Sequence, residues 1–169
     1  MKKIISFISL VAFCFGIAGC SKTEAEATEV EIWSCYSTLK VLQDKPNAYD
    51  DVKQSAVINL EVAKGEKEAA QLIMTSKGGA VEYNVEASDL RSGDNILPSE
   101  RIAVYHEKYL WIVGSEFYTD EGYYPDCLVP FENIKQAEEN VISENSNQGI
   151  YVRFDIPEDQ PSGNYTGNI

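Results

Sequence analysis

The chain has 169 residues and carries 27 Asp and Glu against 14 Lys and Arg, a formal net charge of −13. So acidic a balance excludes a charge-driven grip on nucleic acid or on anionic lipid. The four cysteines and one histidine show no zinc-type spacing, and no glycine-rich phosphate loop or G-x-S-x-G elbow occurs, so no metal or other cofactor is implied. Lys2 and Lys3 open the chain, an uncharged run follows from Ile4 to Phe15, and small residues lead to Cys20. The apolar run is shorter than the ~20 residues a membrane-spanning helix needs, so it reads as an export signal.

Ile17-Ala18-Gly19-Cys20 resembles the lipobox of bacterial lipoproteins. That resemblance implies a signal peptide over residues 1–19, cleaved before Cys20, and a diacylglyceryl group on the Cys20 thiol. Each buried methylene of such a lipid contributes roughly 0.8 kcal/mol, so several acyl chains would anchor firmly. The expected location is the cell envelope, on the outer side of a bacterial membrane, with cytoplasmic and outer membrane both open. Cleavage removes Lys2 and Lys3 and leaves 12 basic and 27 acidic residues, a charge of −15. Residues 20–29 are small, polar and acidic without apolar periodicity, which suits a flexible tether.

The remaining residues, 30–169, are enough for one domain with its own core. A short helix is expected in Asn47–Gln54. Ala56, Ile58, Leu60 and Val62 alternate with Ser55, Val57, Asn59 and Glu61, the pattern of a strand with one face in a core. Ala69–Met74 is apolar on both sides and suits a central strand. Val81, Tyr83, Val85 and Ala87 alternate again. Arg101–Val113 predicts one bent strand or two. A second short helix is expected in Asn133–Val141, and Ile150, Val152, Phe154 and Ile156 mark another strand. Turn residues separate these runs at Lys77-Gly78-Gly79, Ser92–Asn95 and Pro157–Gly163. The expected fold is all-β: an antiparallel β-sandwich of the immunoglobulin or jelly-roll kind, with short helical turns. Tyr165–Ile169 starts a further strand, from which the chain is expected to be truncated before another domain.

With Cys14 in the signal and Cys20 as the anchor, Cys35 and Cys127 remain. An exported protein could join them, but the sequence favours two separate buried thiols. His106, in step with Ile102 and Val104, reads as a core or edge histidine rather than a base.

Four ordered stretches resemble the N-terminal domain of glycoside hydrolase family 123 and the related domain-of-unknown-function family 4091. Ala63–Leu72 is similar to an "E-x-E-x-x-Q" lead-in to a central strand, and Asp89-Leu90 to a stop after a strand. Tyr124–Pro130 is similar to a "P-D-x-L-x-P" loop. Asn147–Val152, Ile156–Asp159 and Gly163–Gly167 are similar to "Q-x-x-W-V … V-P-x-D … G-x-Y-x-G". Tyr151 stands where tryptophan is usual, and Ala63-Lys64-Gly65 replaces an arginine–asparagine lead-in. Most of these residues are expected to shape the fold. Glu66, Glu68 and Gln71 would satisfy backbone groups, Asp126 would accept backbone N–H bonds, and Gly163 and Gly167 would supply unusual φ values.

The resemblance implies a catalytic (β/α) barrel beyond the sandwich, in which an adjacent Asp–Glu pair assists the substrate's acetamido group in releasing N-acetylgalactosamine. Within the sandwich, Asp120-Glu121 mimics that pair but reads as a solvated turn, because glycoside cleavage needs groups set about a bond inside a shaped pocket. No catalytic residue is expected here. The residues expected to meet a ligand or a neighbouring domain are Trp111, Tyr123, Tyr124 and Asp126, within an aromatic set that also includes Trp33 and Tyr118. The expected role is a non-catalytic accessory domain of an exported, lipid-anchored glycoside hydrolase acting on N-acetylgalactosamine-containing glycans. Its partners would be the membrane, through Cys20, the missing barrel, and a glycan. The alternative is a stand-alone glycan-binding or envelope adhesion lipoprotein.

Overall fold

The computed structural model describes residues 29–114 and 120–169; the expected signal peptide and tether through residue 28, with Cys20, and Tyr118 lie outside them. The fold is an antiparallel β-sandwich with very little helix. Its main layer is a five-stranded sheet of β1 (Glu29–Tyr36), β2 (Lys67–Lys77), β6 (Ile102–Ile112), β7 (Gly122–Pro130) and β9 (Asn147–Asp155), in the order β1-β2-β9-β6-β7. The opposite layer is broken. It holds the ladders of β3 (Val81–Glu82) with β8 (Val141–Ile142) and of β4 (Leu90–Ser92) with β5 (Asn95–Leu97). The one α-helix among the described residues, α1 (Phe131–Gln136), follows β7 and buries Phe131 and Ile134.

The alternation read from the sequence builds the core between these layers. Met74, Ile102, Ile150, Val152 and Phe154 point from the main sheet to Tyr83, Phe131 and Ile142, with Ile58, Val85, Ala87 and Leu90 packed at the margin. β2 is interior, with β1 on one side and β9 on the other. Its outer face is also covered, by segment 37–54, where Trp33, Cys35, Val41 and Ile73 form a second cluster with Leu39 and Tyr49. That double burial explains why β2 reads apolar on both sides.

Four elements differ from expectation. Residues 55–63 join no ladder and begin with a bend at Ala56. Ile58 reaches the core, and the Ser34 hydroxyl donates to the carbonyls of Ser55 and Val57 in place of a strand partner. Of the 81–87 run, only Val81 and Glu82 pair; beyond them Asn140 takes over, its backbone carbonyl accepting from Tyr83 N–H and its side-chain amide donating to Tyr83 O. Asn47–Gln54 forms turns rather than a helix, closed by Val52 and Lys53 N–H on the Tyr49 carbonyl. The downstream helix starts and stops earlier than Asn133–Val141. Arg101–Val113 is a single strand, β6.

The terminal segment forms an isolated antiparallel bridge to β4 rather than a full strand. Arg91 and Thr166 exchange both backbone bonds, and Ser88 N–H donates to Asn168 O. Asp89 ties this end of the molecule to the start of β6, its Oδ1 accepting from Ser99 N–H at 3.0 Å. Gly163 and Gly167 serve close approach rather than unusual φ. A Cβ on Gly167 would lie 2.7 Å from Asp89 O, and one on Gly163 2.5 Å from Ser92 Oγ.

Candidate functional site

The family-like polar residues are interior struts. Trp33 Nε1 donates to Thr75 Oγ1 (3.0 Å), which donates to Asn147 Oδ1 (2.7 Å). Asn147 Nδ2 donates in turn to the carbonyls of Leu42 (2.9 Å) and Lys45 (3.3 Å). Gln71 Nε2 holds the carbonyls of Tyr36 and Leu39, and Gln148 Nε2 those of Glu107 and Gly149. Buried carbonyls left without donors cost about 1–3 kcal/mol each, so Asn147 and Gln71 fasten segment 37–54 onto the sheet, while Gln148 ties β9 to β6. Glu66 accepts from Ala63 N–H and Glu68 from Ala69 N–H, as expected of a strand lead-in.

The four sequence-selected surface residues all fall on β6 and β7. Where β9 stops, these two strands continue as a two-stranded ribbon toward Ile112 and Gly122. On it Trp111 and Tyr123 are cross-strand partners, 48% and 41% exposed, with ring centroids 4.9 Å apart at 66°. Edge-to-face geometry of this kind leaves one ring face of the pair free. Tyr124 is half-buried and its hydroxyl donates to Asp120 O. Asp126 is not in a loop. Lys108 pairs with Cys127 and Tyr109 with Pro125, so Asp126 is the extra residue of a β-bulge on the edge strand β7. It is exposed, and no hydrogen bond to its carboxylate is found among the described residues, so the bulge rather than an N–H cap turns the chain there. Trp33 belongs to the core, and Asp120 and Glu121 face solvent.

The thiols and the histidine are also accounted for. Cys35 and Cys127 are both free, and Cys127 is exposed rather than buried. They sit on the two edge strands, roughly 19 Å apart at ~4.8 Å per strand, too far for a disulfide. Burial pushes the Cys35 thiol up to about 12, which removes it as a nucleophile. His106 is buried on the core face with Nδ1 2.7 Å from the Tyr83 hydroxyl, and burial lowers it to about 4. No cluster of three His, Cys, Asp or Glu suited to a metal ion occurs among the described residues.

Two features escaped the sequence reading. Glu107, next to His106 but on the opposite face, is only 3% exposed, and its Oε2 has no hydrogen-bond partner. Burial raises its carboxyl to about 7, against a smaller lowering by Lys40. It lies over Gly149, where a Cβ would come within 2.6 Å of Glu107 Cδ. Farther along the same face, Tyr105 and Tyr151 are paired across strands with rings edge to face at 6.3 Å. The Arg153 guanidinium sits 5.5 Å above the Tyr105 ring, and its buried Nε is unpaired. Segment 37–54 packs over β1 and β2 and reaches β9 and β7 through Gln43 and Lys40, while Tyr105, Tyr151 and Arg153 stay half-buried.

Residues 41–169 match the model of the Glycoside hydrolase 123 N-terminal domain. The chain belongs to this family. Among solved structures, it is similar to a family 123 glycoside hydrolase from Clostridium perfringens described in connection with glycolipid glycan hydrolysis. The TM-score is 0.60 at 16% identity, over 82% of this chain and 24% of that enzyme, so the chain spans about a quarter of the enzyme's length. No curated protein matches the chain in sequence. At that identity the likeness concerns the fold, and the family 123 N-terminal sandwich is the frame in which the buried amides, the ribbon and the Tyr105–Tyr151–Arg153 patch are set.

Proposed function

We propose that this chain is the non-catalytic sandwich of an exported glycoside hydrolase acting on N-acetylgalactosamine-containing glycans, lipid-anchored to the cell envelope through Cys20. The family match across residues 41–169 carries the reading. Two structural features support it. First, Glu29, next to the expected tether, is level by strand register with Trp111 at one end of the sheet, while the terminal segment, bridged to Arg91, lies toward the start of β6 at the other. A domain with its ends so separated acts as a spacer between a membrane and a catalytic unit. Second, the half-buried Tyr105, Tyr151 and Arg153 have the composition of a domain seat, since tyrosine and arginine dominate the energetics of protein interfaces. The position where the family carries tryptophan falls within this patch.

In an enzyme built of this sandwich and a family 123 catalytic barrel, Arg153→Glu should separate the two units, seen as two thermal transitions in place of one. A single unchanged transition would count against the seat. The anchor has its own test. Cys20→Ala should move the protein from the membrane to the soluble fraction and abolish incorporation of labelled fatty acid.

The alternative, a stand-alone glycan-binding or adhesion lipoprotein, is favoured by one observation, the exposed Trp111–Tyr123 pair. Aromatic faces stack on the C–H faces of pyranose rings. On that reading Trp111→Ala would lower binding to N-acetylgalactosamine oligosaccharides at least tenfold. No measurable binding by the wild type would remove it.

A further inference from the structure

Glu107 occupies a position that no structural need explains. Its side chain is buried, Oε2 is shut off from solvent without any partner, and a glycine on β9 makes the room for it. Lys40 of the covering segment is the cation whose field reaches it, yet Lys40 Nζ is engaged 2.8 Å from Pro125 O on β7. The same segment is joined to β7 a second time through Gln43 N–H on Tyr123 O. It is joined to β9 through Asn147 N–H on Gln43 O.

We propose that Glu107 and Lys40 form a latch on segment 37–54, closed while Glu107 is uncharged and released when Glu107 loses its proton. On deprotonation the proton passes to water, and the buried Oε2 carries charge with no donor on it. The cheapest remedy is for the Lys40 ammonium to leave Pro125 O for Glu107, or for water to enter between segment and sheet. Either move strains the Gln43–Tyr123 bond and so shifts the strand that carries the exposed tyrosine. The titratable groups facing Glu107 do not compete for this role. Cys35 on β1 and Tyr109 on β6 are both held neutral by burial, and each is pushed up further by Glu107 itself. β9 offers only the Gly149 backbone, and β7 sets Leu128 opposite. The latch therefore works around neutral pH, the range in which burial sets the Glu107 carboxyl.

Amide hydrogen exchange of the whole chain, corrected for the intrinsic pH dependence of exchange, tests this directly. Between pH 5.5 and 8.5 the amides of Leu42, Gln43 and Asn147 should lose protection at least tenfold. In Glu107→Gln, which cannot ionise, their protection should stay constant. Lys40→Met also removes the bond to Pro125 O and so lowers protection at every pH, but the midpoint of the remaining loss should move to higher pH, because the one opposing cation is gone. Equal protection at both pH values in the wild type would overturn the proposal, as would the same loss in Glu107→Gln. If Glu107→Gln does not fold, the Lys40→Met shift decides alone, and an unmoved midpoint overturns the latch.

Discussion

Replacing Glu107 by Gln is expected to leave stability near pH 4.5 little changed relative to wild type and to raise it progressively up to pH 7. The sign follows from the direction of the shift. An acid raised by burial to about 7 binds its proton more tightly in the folded state than at its ordinary value of 4.5. Between those values the folded protein holds a proton that the unfolded chain has released, so stability falls as pH rises. A displacement of that size corresponds to about 3 kcal/mol. His106 works in the opposite sense. Lowered by burial from 6.5 to about 4, it makes the folded state refuse a proton that the unfolded chain takes up, so stability falls as pH drops through this window. The two neighbours therefore oppose each other between about pH 4.5 and 6.5, and in the wild type their contributions nearly cancel. Glu107→Gln should unmask the histidine. Urea titrations at half-unit pH steps should show the variant-minus-wild-type difference growing by about 3 kcal/mol from pH 4.5 to 8. A difference independent of pH would mean that Glu107 is charged or solvated throughout.

Asn147→Leu should be the most damaging single change in the covering segment, at about 3 kcal/mol or more. Fully buried Asn147 links Thr75 to the carbonyls of Leu42 and Lys45, and leucine would strand all three groups without water. Thr75→Val alone removes one link and should cost less. The double variant should cost less than the sum of the two, because both act on one network. Trp33, whose indole N–H joins the same chain of bonds, provides the readout, since its fluorescence should shift to the red as the segment loosens. Strict additivity would show that the network is not coupled.

Much of the fold was legible in the residues. β2, β9 and the first half of β6 announce themselves because one or both faces meet a core, and burial imposes a period of two. Residues 55–62 and 83–87 alternate for the same reason but have no ladder. Ile58, Val85 and Ala87 satisfy a core by side-chain contact alone, and the sequence of a segment does not show whether a backbone partner lies beside it. The bulge at Asp126 was hidden likewise, since an extra residue appears only when the opposite strand is counted against it.

The site was less legible. Trp111 and Tyr123 were visible as aromatics, and the ribbon explains their exposure. Glu107 was not visible, because an acid in an alternating strand normally marks the solvent face. Only the folding of segment 37–54 across that face makes it interior. The one local hint was Gly149, a glycine within a strand, which signals close approach by something opposite. Tyr105 and Arg153 looked like ordinary solvent-side residues of their strands, and it takes the register to bring them beside Tyr151.

On the proposed reading, this family 123 sandwich supports cleavage without performing it. The most direct measurement is release of N-acetylgalactosamine from a glycan ending in that sugar, by residues 20–169 alone and by the same residues joined to a family 123 catalytic barrel. The account predicts no release above the no-protein control from the sandwich and full turnover from the joined protein. Release by the sandwich alone, lost on Asp120→Asn or Glu121→Gln, would contradict it.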